Sequence, residues 1–268
     1  MQRRARIRQT HGSHIDRAAH EFRDHEDMSN SRVLHWVSNF ADEDLGLAVR
    51  VLQSIRYYSG SEIRRKVREL VRLTFRSLAG VRRNKIYFIP VGSLGSGASV
   101  LARALAGTPG VSRDRIRHML ELERIPPEQI GAIVFVDDFS GTGDTLHEWW
   151  TNVEMLVQPK RARIVVGILA LNYRARPRIE EFANIVIGVD ELDESHNVLS
   201  PVSGVFPDPD KETLILCCAK TGCRAEFVRG YGECGLLLAF RHGCPNNSLP
   251  ILWQKSATWR RLFARRGV

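Results

Sequence analysis

Four stretches of unbroken apolar sequence, Ile86–Pro90, Ile133–Val136, Ile164–Leu171 and Ile185–Val189, limit the folds open to this chain more than any other feature. A strand with one wet face alternates apolar and polar residues, whereas a strand that is apolar throughout is buried on both faces. Between these runs lie helical patterns at Ser99–Leu105, Arg113–Leu122, Thr145–Leu156 and Arg178–Phe182. Strand and helix in alternation predict an α/β fold, with a mainly parallel sheet and helices on both its faces. In such sheets ligands bind beyond the C-terminal ends of the strands, where the connecting loops gather.

The flanks read differently. Residues 1–30 are rich in Arg, His and Asp with few apolar anchors, and are expected to be a mobile basic arm. On that reading His11, His14, His20 and His25 belong to a solvated tail and form no metal cluster. Residues 31–80 form a helical segment, in which Ile63, Val67, Leu70, Val71, Phe75 and Leu78 make one apolar stripe. The α/β core spans 81–199. A β-rich extension is expected over 200–254, with strands at Thr213–Cys218 and Gly235–Phe240, and a basic tail over 255–268. No apolar run approaches the ~20 residues needed to cross a bilayer. No signal-peptide core follows the N-terminal arginines, so a cytoplasmic protein without a membrane partner is expected. Cys217, Cys218, Cys223, Cys234 and Cys244 contain no C-x-x-C pair and read as small buried thiols rather than zinc ligands.

The net charge of +9 suggests a polyanion partner until its location is considered. Nine basic residues lie in 1–10 and 255–268, where there is no acid, and the remaining 30 balance the 30 acids. Within the balanced body, residues 61–85 hold nine bases against Glu62 and Glu69, including Arg64, Arg65, Lys66, Arg68, Arg72 and Arg76 on one helix. That helix and the two basic ends are where a protein or nucleic-acid partner is expected. Self-association into a homo-oligomer stays open.

Ile133 to Leu146 reads I-V-F-V-D-D-F-S-G-T-G-D-T-L. A buried strand ends at Asp137-Asp138, a loop with two glycines follows, and a helix begins near Thr145. Gly141 and Gly143 let the backbone approach a ligand, while Ser140, Thr142 and Thr145 add hydroxyls to the helix-start N–H groups. Such a cradle suits a phosphate monoester. The helix-end charge contributes only ~0.3–1 kcal/mol, so directed hydrogen bonds carry most of the grip. Adjacent strand residues face opposite ways, so Asp137 and Asp138 share a pocket only where the strand has ended. There they would accept hydrogen bonds from vicinal sugar hydroxyls or hold Mg²⁺ through water. Phosphate donors beside sugar and metal acceptors fit a ribose 5-phosphate.

This segment resembles the phosphoribosyl-pyrophosphate motif of type I phosphoribosyltransferases. The resemblance implies that Asp137 and Asp138 are the catalytic and metal-facing acids, contacting the ribose hydroxyls, and that Gly141, Thr142, Gly143, Asp144 and Thr145 wrap the 5′-phosphate. Gly141 and Asp144 depart from the common pattern, and Asp144 places a negative charge beside a dianion unless it turns outward, for instance to cap the helix. The helical stretch ending in Ile55-Arg56-Tyr57-Tyr58 and the late blocks Gly230–Gly235 and Cys244–Trp253 extend the likeness. They resemble a bacterial phosphoribosyltransferase-like group with a C-terminal extension, associated with antiviral conflict systems and some retrons.

A second glycine loop, Gly92 to Ser99, follows the first apolar strand. It matches the P-loop pattern except for Ala98 in place of the lysine, which would make the chain a nucleoside-triphosphatase with Asp137 as its second-strand acid. On the phosphoribosyltransferase reading, Gly92, Ser93, Gly95, Ser96 and Gly97 instead hold pyrophosphate beside Mg²⁺. Arg113, Arg115, Arg117 and His118 lie between the loops, as a basic lid or a solvent-facing helix. Two function classes stay open: a transferase that displaces pyrophosphate at the anomeric carbon, and a non-catalytic protein that senses a nucleotide and regulates a partner.

Overall fold

A computed structural model describes residues 2–92 and 97–265. The chain forms two units, one from Ser61–Asp193 and one that joins Met1–Gly60 to Glu194–Val268. In chain order the elements are α1 (Gln2–Glu21), α2 (Asn30–Val37), α3 (Leu45–Ser54), β1 (Arg56–Tyr58) and α4 (Gly60–Ser77), then β2 (Ile86–Pro90) and α5 (Gly97–Ala106). They continue with β3 (Ala132–Ser140), α6 (Asp144–Val157), β4 (Arg163–Asn172), α7 (Arg176–Glu180) and β5 (Ile185–Leu192). The last are α8 (Asp208–Lys220), β6 (Leu238–Phe240) and α9 (Pro250–Trp253).

The Ser61–Asp193 unit holds the α/β sheet, and with it the helix α4. Its strands are all parallel and run in the order β2-β3-β4-β5. On one face Ile133 and Phe135 of β3 meet α6 and α7, where Trp150 stacks on Phe182 with ring centroids 4.8 Å apart. On the other face α4 lies so close that a Cβ on Gly167 of β4 would come within 2.8 Å of the Leu70 side chain. The continuous apolar runs are thus apolar because both faces are covered. No helix spans Arg113–Leu122; short 3-10 turns at Arg113–Arg115 and Met119–Arg124 stand there instead. Between them the Arg117 N–H donates to the Phe88 carbonyl at 3.0 Å, so the segment covers the edge of β2 rather than forming a lid or a free helix. Arg115 lies over the Tyr87 ring, 4.9 Å from its centroid.

The other unit corrects three expectations. Residues 1–30 are not a mobile arm: Ile7, Ile15, Ala18 and Ala19 of α1, with Phe22 after it, are buried in the unit's core. His25 is buried as well, its Nδ1 3.0 Å from the Arg241 carbonyl and its Nε2 accepting from the Ala264 N–H at 3.2 Å. Residues 200–254 are not β-rich. Thr213–Cys218 lies inside α8, because Pro209 and the acids Asp208 and Asp210 suit a first helical turn. Lys211, Leu214, Cys217 and Cys218 then fall on its buried face at helical spacing. The one strand there, β6, pairs with β1 in parallel. Nor is 255–265 a solvated tail, since Trp259, Leu262 and Phe263 are buried. Trp36 and Trp259 both donate to the Ile251 carbonyl, at 2.6 and 3.0 Å. Cys217, Cys218, Cys234 and Cys244 are buried, and burial pushes the Cys217 thiol up to about 11.

Candidate functional site

β2 and β3 are neighbours in register, with Pro90 opposite Val136, and the Val91 N–H donates to the Val136 carbonyl at 2.8 Å. Val91 and Gly92 therefore come level with Asp137 and Asp138 near the C-terminal end of the sheet. Gly92 has φ +115°, and Gly97 opens α5. Ser93, Gly95 and Ser96 lie outside the described residues.

The acid pair does not sit beyond the strand, as expected from the sequence. β3 continues through Asp137 and Asp138 to Ser140, because its backbone keeps pairing with β4 as far as Ser140↔Leu171. Consecutive strand residues face opposite ways, and the two acids differ accordingly. Asp138 is fully buried, whereas Asp137 is half-buried and its Oδ1 accepts from the Asp138 N–H at 2.8 Å. Of the two acids, only Asp137 is partly exposed.

Ser140 closes the strand, and Gly141 and Thr142 carry the chain into Gly143, the N-cap of α6. Gly143 has φ +83° and brings no side chain to cap the helix, while the Asp144 N–H donates to the Thr142 hydroxyl oxygen at 3.5 Å. A Cβ there would stand 3.0 Å from the Ala175 carbonyl oxygen and 3.2 Å from Arg178 Cβ, so glycine is required both by the dihedral and by the approach of α7. The first helical bond runs from the His147 N–H to the Gly143 carbonyl at 2.9 Å. The earlier N–H groups of a helix start point outward, the geometry that receives an anion. Thr145 is exposed beside them.

Asp144 resolves the conflict raised by its charge. Its side chain does not cap α6. Oδ2 accepts from the Thr142 hydroxyl at 2.7 Å, and Oδ1 lies 3.2 Å from the Arg178 guanidinium on α7. The carboxylate is drawn away and balanced by a cation that adjacency in sequence does not reveal. A second pair, also unread from the sequence, joins Lys66 of α4 to Asp190 near the end of β5, both largely buried. Lys66 belongs by sequence to the basic helix face expected in solvent, yet it lies three residues after Ile63 and four before Leu70, on the apolar stripe. That spacing is the signal that could have placed it. Arg64, Arg68, Arg72 and Arg76 are exposed, as expected. Among the described residues no group of three or more His, Cys, Asp or Glu converges as a metal site, and no helix is long and apolar enough to cross a membrane.

The family profile PRTase-CE, phosphoribosyltransferase with a C-terminal extension, matches residues 33–265. No curated protein matches the chain. Among solved structures, a hypothetical protein from Neisseria gonorrhoeae with bound ppGpp is similar at 15% identity and a TM-score of 0.37, covering 52% of this chain and 85% of that one.

Proposed function

Because the chain belongs to the PRTase-CE family, we propose that its Ser61–Asp193 unit binds phosphoribosyl pyrophosphate, or a related nucleotide, with Mg²⁺. The observation that carries this reading is the loop Ser140–Thr145, which passes from a buried strand through a left-handed glycine at the N-cap into a helix start. The 5′-phosphate would take the N–H groups of that start with the Ser140 and Thr145 hydroxyls. The neighbouring loop that begins at Gly92 would take the diphosphate. Mg²⁺ keeps several waters and binds one or two carboxylates together with ligand phosphates. The half-buried Asp137 suits that role and the enclosed Asp138 does not, so Asp137 would hold the ion. The ion would neutralise charge on the departing diphosphate.

In the proposed reaction a nucleophile bonds to the anomeric carbon as the carbon–oxygen bond to pyrophosphate breaks, and both bonding electrons leave with pyrophosphate. The residues named here orient the donor and balance charge; none forms a covalent intermediate. Consistent with the resemblance noted above, we place this activity in an effector of a bacterial antiviral defence system.

Binding of radiolabelled phosphoribosyl pyrophosphate, followed by a pyrophosphate-release assay with a panel of bases, tests the reading. Binding with release supports the transferase. Binding without release, under every base, leaves the nucleotide-sensing role and excludes catalysis. Thr142→Val with Thr145→Val, and separately Asp137→Asn, should weaken donor binding about tenfold each while the fold persists by circular dichroism. Unchanged binding in both would remove the site assignment.

A further inference from the structure

The C-terminal basic residues do something other than trail into solvent. Asn39 holds the Arg260 backbone through bonds of 2.9 and 3.1 Å, and Arg32 Nε donates to the Leu262 carbonyl at 2.8 Å. With Trp259, Leu262 and Phe263 buried, the segment is pinned beside α2. Between them is a cavity of about 510 Å³, into which Arg32 and His35 face from α2 and Lys255, Arg260 and Arg261 from the C-terminal segment. Asp27 is the one carboxylate in its wall, and Ser29, Ser31 and Ser256 add hydroxyl donors.

Four permanent cations meet one carboxylate here. Among the described residues no acid stands within ion-pair distance of Arg32, Lys255, Arg260 or Arg261, whereas Arg3, Arg6 and Arg8 of the same unit are all paired. The crowding is felt. Burial, and then the neighbouring Arg261, lower the Arg32 pKa against the opposing charges of Asp27 and Glu26; burial, and then Arg4 and Arg260, lower that of His35. A concave site with an uncompensated field concentrates counter-ions, and the volume lies in the range of small-ligand sites.

We propose that this cavity is an anion site for a di- or triphosphate group, free or carried by a nucleotide. The excess of about three charges matches a polyphosphate better than a single phosphate. A single-stranded nucleic acid fits less well, because such sites pair a basic groove with exposed aromatic platforms, and Trp259, the one aromatic residue in the wall, is only 3% exposed. The site is built wholly from residues outside the Ser61–Asp193 unit and does not depend on the function proposed for it.

Calorimetric titration of the full chain with sodium tripolyphosphate, adenosine triphosphate and a ten-base oligothymidylate tests the proposal. The triple variant Lys255→Gln/Arg260→Gln/Arg261→Gln replaces two exposed side chains and one half-buried one and should melt as the parent does, yet lose about tenfold or more in tripolyphosphate affinity. Thr142→Val with Thr145→Val should leave that component intact. Equal affinities for tripolyphosphate and the nucleotide support recognition of the phosphates alone, and tighter nucleotide binding supports the nucleotide as source. An unchanged affinity in the triple variant, or oligothymidylate binding that tripolyphosphate does not displace, overturns it. Should the triple variant melt early, the parent and Lys255→Gln alone are titrated with tripolyphosphate while the imidazole resonance of His35 is followed. A saturable shift that weakens in Lys255→Gln supports the site, and no shift of that resonance sinks it.

Discussion

Gly143→Ala is the sharpest perturbation of the sheet-end loop, because its cost has two separable parts. A non-glycine residue in the left-handed region loses about 1–2 kcal/mol. The added Cβ also meets the Ala175 carbonyl oxygen at 3.0 Å and Arg178 Cβ at 3.2 Å. A backbone oxygen cannot swing aside as a side-chain end can, so α7 must move, at an overpacking cost of about 1–3 kcal/mol. The sum is about 2–5 kcal/mol. Two other glycines of the same unit isolate the parts. Gly80 has φ +120° with nothing near its Cβ position, so Gly80→Ala reports backbone strain alone. Gly167 lies in β4 without a positive φ but under Leu70 at 2.8 Å, so Gly167→Ala reports packing alone. Urea unfolding monitored by far-ultraviolet circular dichroism gives all three values. Gly143→Ala should cost more than either control and should also lower donor affinity, because displacing α7 carries Arg178 away from Asp144. A cost below about 0.5 kcal/mol, the scatter of neutral surface changes, would refute the geometry.

Arg178→Ala should weaken phosphoribosyl pyrophosphate binding about tenfold by freeing the Asp144 charge, with stability changed by less than about 1 kcal/mol because the pair is half-exposed. Asp144→Asn in that background should restore binding, as measured by the same titration. Lys66→Met should cost about 3–5 kcal/mol in urea unfolding by leaving Asp190 buried without its cation, and Lys66→Met/Asp190→Leu should recover most of it. Burial first, and then Arg32, hold the His25 pKa below its ordinary 6.5. The unfolded chain therefore takes up the proton more readily, so the contribution of neutral His25 is full above pH 6.5 and falls away as pH drops below it. His25→Gln should flatten stability between pH 7 and 5.

The parallel sheet was legible because strands buried on both faces leave unbroken apolar runs, and Ile86–Pro90 is the observed β2 without adjustment. The other three runs stop short. β3 continues through Asp137 and Asp138 to Ser140, and β5 through Asp190 and Glu191 to Leu192, because backbone pairing outlasts the apolar side chains. That same overrun separated two acids whose adjacency had suggested a shared pocket. The loop residues were legible as one contiguous motif. Arg178 and Lys66 were not, since topology brings them to Asp144 and Asp190 from other elements.

The two flanks depart from their sequence pattern for a shared physical cause. Neither Met1–Gly60 nor Glu194–Val268 holds enough apolar residues at close spacing to advertise a core, and each completes the other across the length of the chain. Their arginines looked like solvent charge for the same reason. In the fold, Arg3 and Arg6 share Asp42, Arg8 takes Asp16, and Arg265 lies over the Phe227 and Trp253 rings at 5.0 Å each. Lys255, Arg260 and Arg261 are left facing one cavity. Deleting 255–268 would therefore be a poor probe of charge, since it also removes Trp259, Leu262 and Phe263 from the core. Three buried side chains of that size contribute about 1.5–3 kcal/mol each, more in sum than half the stability of many domains. Only substitutions that keep these anchors can separate what the surplus charge binds from what the segment holds together.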